Sequence, residues 1–267
     1  MVEGQKLQLV DCDIVKELNG KTFDDLGTAL QIKLKRAFIR VEVVRKGSDP
    51  RFKYHMFKRL NTGGEALNAQ QLRNCSIRLL SPIFIDFIKR LRNTDAFQAC
   101  TATLTNERIL AAFDEELILR FFAFRNFLAE FRHDITDFLT EYMEGVSDPT
   151  EPIPFNYGEQ EAAFNRTFSI LAKTLGEDAF TYASKQTKKL TKGFGVLQFE
   201  AFTIGLQPHL SRLDPDNSQL MECLAARLRN LKVDEKFIEA TTGGGKNSPG
   251  LLKARIDWVA GAVAEIL

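Results

Sequence analysis

The chain has 267 residues, 44% of them hydrophobic and 27% charged, and its formal net charge is +1. That length suits one large domain or two modest ones with a sizeable core, and the near-neutral balance excludes a global electrostatic pull toward nucleic acid or a membrane surface. No apolar run approaches the ~18 residues of a membrane span, the N-terminal MVEGQKLQLVD lacks the form of a signal peptide, and Cys12, Cys75, Cys100 and Cys223 have no CxxC spacing. The cysteines therefore read as reduced thiols of a cytoplasmic protein, with neither a zinc site nor a disulfide framework.

In chain order, residues 5–10 alternate as a short strand does. Residues 22–36 predict a helix, with Thr22 as its cap and Asp24 and Asp25 in its first turn. Residues 37–45 are rich in β-formers, and Ile39 and Val41 alternate with Arg40 and Glu42, which predicts a strand. After Gly47-Ser48-Asp49-Pro50, a helix is expected to run to about Asn61.

Beyond about residue 76 the pattern is helical. Leu117, Phe121, Phe124, Leu128, Phe131, Ile135, Phe138 and Tyr142 recur at alternating spacings of four and three, which predicts one helix over 114–144 with a single stripe, whose large aromatics favour the central helix of an intramolecular bundle over a dimer seam. The proline-rich stretch 147–154 reads as a linker or an extended crossing. Helices are expected at 158–175, 177–189, 194–211 and 216–230, and from 250 to the end. The 22 phenylalanines, against one Trp and four Tyr, predict a large aromatic helical core. The fold class is mainly α: a small α/β lobe over 1–76, then a multi-helix bundle over 77–267.

The most informative segment is FKRLNTGGEALNAQQLR, Phe57 to Arg73. A helix ends at Asn61-Thr62-Gly63-Gly64, where the glycines permit positive φ and leave backbone N–H groups uncovered. Asn68 then reads as the N-cap of a second helix. Lys58, Arg59 and Arg73 flank the turn, so the arrangement suits a phosphate or other anion, and a plain glycine C-cap accounts for the glycines equally well.

Phe57, Leu60, Asn61, Gly63, Gly64, Leu67, Leu72 and Arg73 resemble the second signature of the GmrSD-type family of ParB/sulfiredoxin-like DGQQR proteins. Leu18 to Leu26, the segment Ile39 to Val44, and Gly243 to Gly245 with Arg255 and Ile256 resemble that family in order and spacing. The resemblance implies a partial ParB-like fold, binding or hydrolysis of a nucleoside triphosphate with Mg2+, and a role in anti-phage or modification-dependent restriction beside a nuclease. It makes Asn61, Thr62, Gly63, Gly64 and Arg73 the nucleotide-binding candidates, with Asn61 orienting a phosphate or water and Arg73 neutralising charge.

Two departures bear on catalysis. The DGQQR motif itself is missing, and Glu3-Gly4-Gln5-Lys6 only imitates it, so the chain is expected to start downstream of that motif. Gln71 stands where the family has Glu, and an amide is neither a general base nor a carboxylate metal ligand. No catalytic or metal residues are therefore assigned. The expected partner is a DGQQR-bearing or nuclease-bearing chain, with homo-oligomerisation open and no membrane contact. Two rival expectations are a degenerate scaffold that binds a partner through its Phe-rich helices, and a truncated reading frame. Gly243-Gly244-Gly245-Lys246 lacks P-loop spacing and reads as a helix connection. His55, His133 and His209 have no partners at ligand spacing. The basic run Lys185–Lys192 reads as a solvated helix end, with direct DNA contact left open.

Overall fold

The computed structural model describes residues 7–10, 12, 14–38, 41, 43, 52, 56, 67–132 and 134–267. The chain forms two compact units, 1–47 and 48–267, and each is described by itself.

In the first unit, Leu9 N–H donates to the Lys21 carbonyl and Gly20 N–H to the Leu9 carbonyl, at 2.9 and 2.7 Å. Gln8 and Thr22 form an isolated antiparallel bridge, and Gly20 takes φ +78° at the turn, a value that favours glycine. Thr22 does act as a cap, but of a single 3-10 turn. Its N–H and hydroxyl donate to the Asp25 carboxylate at 2.9 and 2.7 Å. Leu26 then leaves in an extended conformation, so the helix expected over 22–36 begins only at α1, Thr28–Lys35. Gln31 Nε2 donates to the Leu26 carbonyl at 2.8 Å and ties α1 to that turn. Ala37, Phe38, Val41 and Val43, the described residues of the expected strand 37–45, are not in a strand; the rest of that segment lies outside the described residues. Phe52 and Met56, the described residues of 48–61, are helical.

The second unit is helical. It contains α2 (Ala69–Ile77), α3 (Ile83–Leu91), α4 (Asp95–Cys100), α5 (Asn106–Leu110), α6 (Phe113–Phe127), α7 (Ile135–Ser147) and α8 (Tyr157–Thr174). A hairpin of β1 (Thr181–Ala183) and β2 (Leu190–Phe194) follows, then α9 (Val196–Gly205), α10 (Ser218–Val233), α11 (Glu235–Thr241) and α12 (Pro249–Ala264). The protein is mainly α, as the helical patterning of its sequence predicts. α2 belongs to this unit, whereas the expected boundary at 76 places it in the first lobe. The reason is long-range pairing: Arg73 and Asn74 bond to residues of α6.

The core is aromatic. α6 runs through the middle, with every residue from Leu117 to Phe124 buried. Phe121, Phe122, Phe164 and Phe168 meet with ring centroids 4.4–6.0 Å apart, the separations at which tilted and edge-to-face aromatic pairs are favourable.

The single helix expected over 114–144 is two helices. After Phe127 the chain tightens into a 3-10 turn, Leu128–Glu130. Phe131 is extended, and the Asp134 carboxylate accepts the Asp137 N–H at 2.9 Å to cap α7. The heptad-like spacing survives the break because its residues meet one another across it. Phe124 stacks on Phe138 at 5.3 Å, and Phe131 packs edge-on against both.

The helix expected over 177–189 is replaced by a 3-10 turn, Gly176–Asp178, and the hairpin. Phe180, Ala183 and Phe194 are buried, while the lysine-rich turn between the strands is exposed. A Cβ on Gly195 would lie 3.2 Å from the Phe180 carbonyl and from the Tyr182 ring, so glycine permits this closure. The expected helix 194–211 stops at Gly205 and continues as a 3-10 turn through Pro208. A Cβ on Gly205 would meet Val259 at 2.5 Å and the Ile256 carbonyl at 2.9 Å, so glycine lets α9 and α12 approach closely. The prediction of α8, α10 and α12 agrees with the structure to within three residues at each end, and 148–156 crosses without helix as the prolines require. Among the described residues, no helix is long and apolar enough to cross a membrane.

Candidate functional site

The described end of the motif is built into the helical unit. Asn68 caps α2: its Oδ1 accepts the Gln71 N–H at 2.9 Å, and Gln71 Oε1 accepts the Asn68 N–H at 3.2 Å. This is a reciprocal capping box. Both amides also donate outward, Asn68 Nδ2 to the Ala111 carbonyl at 2.8 Å and Gln71 Nε2 to the Leu110 carbonyl at 3.3 Å. A glutamate at position 71 would keep the first role and lose the second, since an ionised carboxylate cannot donate. Gln71 thus has a structural reason to be an amide.

Asn61, Thr62, Gly63 and Gly64 lie outside the described residues. Arg73 is described and is buried, at 3% exposure. Its Nε donates to Gln70 at 2.9 Å, Nη1 to the Thr136 carbonyl and the Thr140 hydroxyl at 3.4 Å, and Nη2 to Glu116 at 2.8 Å. Burial lowers its pKa from the ordinary value, while Glu116 opposes that shift. Every nitrogen of the guanidinium is engaged. A phosphate could claim it only at the expense of these bonds, so Arg73 is not a free cation for a nucleotide.

Arg73 opens a longer chain of charges. Glu116 also accepts from Arg120, at 2.9 Å. Arg120 donates to Glu200 at 2.7 Å, and Glu200 accepts from Arg255 at 2.5 Å. The five side chains come from α2, α6, α9 and α12 and are at most 13% exposed. Arg255 Nη1 donates to the Lys246 carbonyl at 2.8 Å, and Arg255 Nε is buried without a partner among the described residues. A second branch leaves Gln70 through Asn74 to Glu115, which pairs with Arg92; Arg92 also reaches Asp114 at 3.0 Å. Four guanidiniums thus meet four carboxylates, and the buried charge is balanced. Both oxygens of Glu116 and both of Glu200 already accept from arginine, which leaves neither placed to take a proton from a substrate. This arrangement suits holding helices in register more than acid–base chemistry.

Lys232 was not legible as special in the sequence. It is fully buried on α10. Its Nζ donates to the Asp178 and Thr181 carbonyls at 2.7 and 2.6 Å and sits 5.2 Å from the Phe202 ring centroid. Burial pushes its pKa down to about 7. With no exposure it serves to bind the hairpin to α10 and is shielded from any substrate.

Gly243 and Gly245 take φ +90° and +74° in the connection between α11 and α12. The segment is a connector, as its spacing predicts, and it contributes the Lys246 carbonyl to Arg255. The run 185–192 lies in the hairpin turn and β2, correcting the expected helix end. His209 lies in a 3-10 turn, while His55 and His133 lie outside the described residues. The four cysteines are free. Among the described residues, no group of three or more His, Cys, Asp or Glu could hold a metal ion.

Comparison with protein-family models, with curated proteins and with solved structures gives no match.

Proposed function

We propose that the chain is a cytoplasmic component of a bacterial anti-phage or modification-dependent restriction-type system, contributing the distal half of a nucleoside triphosphate site and not catalytic by itself. The residues Phe57–Arg73 and their resemblance to the GmrSD-type family motivate this reading. The burial of Arg73 against Glu116 changes the role given to that residue. Within the reading, Asn61, Thr62, Gly63 and Gly64 meet the phosphates. Arg73 anchors the helix behind them to α6 through Glu116, which makes it a positioning residue. The neutralising cation, the DGQQR residues and Mg2+ then come with a partner chain.

The first unit supports a partner. Ile14 and Phe38 are 98% and 103% exposed, Leu7, Leu34 and Val43 are also exposed, and Leu26 is buried. Such uncovered apolar surface suits half of a lobe that a second chain, or a second copy of this one, completes. The rival scaffold reading meets its partner through Phe-rich helices, but Phe84, Phe121, Phe122, Phe164, Phe168 and Phe202 are fully buried. A partner would have to meet other side chains, such as the exposed Ile83 and Leu110 of the second unit or those of the first.

The test is a fluorescent triphosphate titrated into the purified chain with Mg2+, alongside a turnover assay. Weak binding that Asn61→Ala abolishes without lowering Tm, and no turnover above buffer, are expected. Robust turnover by the chain alone, or wild-type protein with no nucleotide signal, would overturn the reading.

A further inference from the structure

α8, the 3-10 turn Gln207–His209 and the loop after it border an open cavity of about 650 Å³. Arg125, at the end of α6, and Arg166, on α8, both line it. Each guanidinium is pinned on one edge by neutral oxygens. Arg125 Nε donates to Gln207 at 2.9 Å and Nη1 to Gln160 at 2.8 Å. Arg166 Nε and Nη2 donate to the Leu213 carbonyl at 3.1 and 2.8 Å. Gln207 is itself held, since its Nε2 donates to the Thr167 hydroxyl and the Thr203 carbonyl.

The remaining terminal nitrogens, Nη2 of Arg125 and Nη1 of Arg166, make no hydrogen bond among the described residues. Neither arginine forms a salt bridge among those residues, unlike Arg73, Arg92, Arg120 and Arg255. Glu159 is the carboxylate felt by Arg125, and it is not part of the lining. The rest of the lining is mixed: Ala162, Ala163, Leu210 and Pro215 are apolar, and Asn165, Ser169 and Ser211 are neutral and polar. Two preorganised forks, each with a terminal nitrogen unbonded among the described residues, beside an uncharged lining of apolar and small polar side chains match an oxyanion carried on a compact organic body.

We propose that this cavity binds a small metabolite through a phosphate or carboxylate group, with Arg125 and Arg166 as the anion-holding residues. No residue of 57–73 lines the cavity, so the site is independent of the nucleotide reading.

The experiment titrates glycerol phosphate and succinate into the full chain at matched ionic strength, reading Tm and the heat of binding. A saturable rise in Tm with one of them is expected, and which one responds separates phosphate esters from carboxylates. Arg125→Gln weakens that binding about tenfold or more, the cost of one charge-assisted hydrogen bond. Because Arg125 also braces Gln207, Ser169→Asp serves as a second variant: it places a negative charge on the wall, leaves both arginines in place and should abolish the response. No saturable response to either probe, or an unchanged response in Ser169→Asp, overturns the proposal.

Discussion

In the first unit Ile14, Leu34, Phe38 and Val43 stand in solvent, while in the second unit Phe121, Phe164, Phe168 and Phe202 are sealed from it. The bonding differs in the same way. The first unit is held by short-range links such as Leu9 to Lys21 and Thr22 to Asp25. The second is closed by pairs far apart in sequence, such as Arg120 with Glu200 and Arg255 with Glu200. Local links fix a conformation without burying much, whereas long-range burial supplies most of the free energy of a cooperative fold. The two units should therefore respond to substitution in opposite ways.

The sharpest test of that contrast is Glu200→Gln. It leaves Arg120 and Arg255 without a shared carboxylate inside the second unit. A loss of ~3–5 kcal/mol, read from the midpoint of urea unfolding, is expected for breaking a buried pair at one partner. A loss below about 1 kcal/mol would mean that water reaches the network. Gly205→Ala comes next. Its Cβ would press on Val259 and on the Ile256 carbonyl, and a backbone oxygen cannot rotate away. A destabilisation of ~1–3 kcal/mol is expected, and a wild-type Tm would show that α9 and α12 are not in close contact.

Lys232 gives a pH signature. Its folded pKa of about 7 lies below the ordinary value of 10.5. Between those two values the unfolded chain binds one proton more than the folded chain, so this residue makes stability rise with pH across that window. Below the window both states are protonated and the full cost of burying the charge is felt. The slope is about 1.4 kcal/mol per pH unit at most. Denaturation at a series of pH values above 7 should show that slope in the wild type and not in Lys232→Met; equal slopes would mean that the lysine titrates alike in both states. The smallest effect is expected in the first unit, where Leu34→Lys should move stability by less than about 0.5 kcal/mol. A large loss there would break the contrast and show that Leu34 is covered.

Much of the helical unit was legible because local signals agreed with the core. Asn156, Asn217 and Ser248 each precede a helix and cap it, and the apolar periodicity that follows is the face that becomes buried. The break after Phe127 was hidden because Phe124, Phe131 and Phe138 keep helical spacing while meeting across a turn. The hairpin was hidden because Ser184 to Lys189 is polar and carries no strand signal, while the close fit that requires Gly195 involves Tyr182 and Phe180 and is visible only in space. At the candidate site, Asn68 was readable as a cap, but the commitment of Arg73 to Glu116 spans 43 positions and leaves no mark in spacing. A weak signal was present all the same. Arg120 and Glu200 are each the one charge in a largely apolar run, LILRFF and LQFEAF, and a lone charge in such a run has to find a partner.

Charge alternates from Arg73 through Glu116, Arg120 and Glu200 to Arg255, and this makes variation along the chain a matter of parity. Replacing Glu116 alone leaves Arg73 without a carboxylate, and replacing Glu200 alone does the same to Arg255; replacing Glu116 together with Arg73, or Glu200 together with Arg255, strands neither. Divergent versions of this protein should therefore change these positions in compensated pairs. Its interior would tolerate a different shape of apolar side chain far more readily than a change of sign.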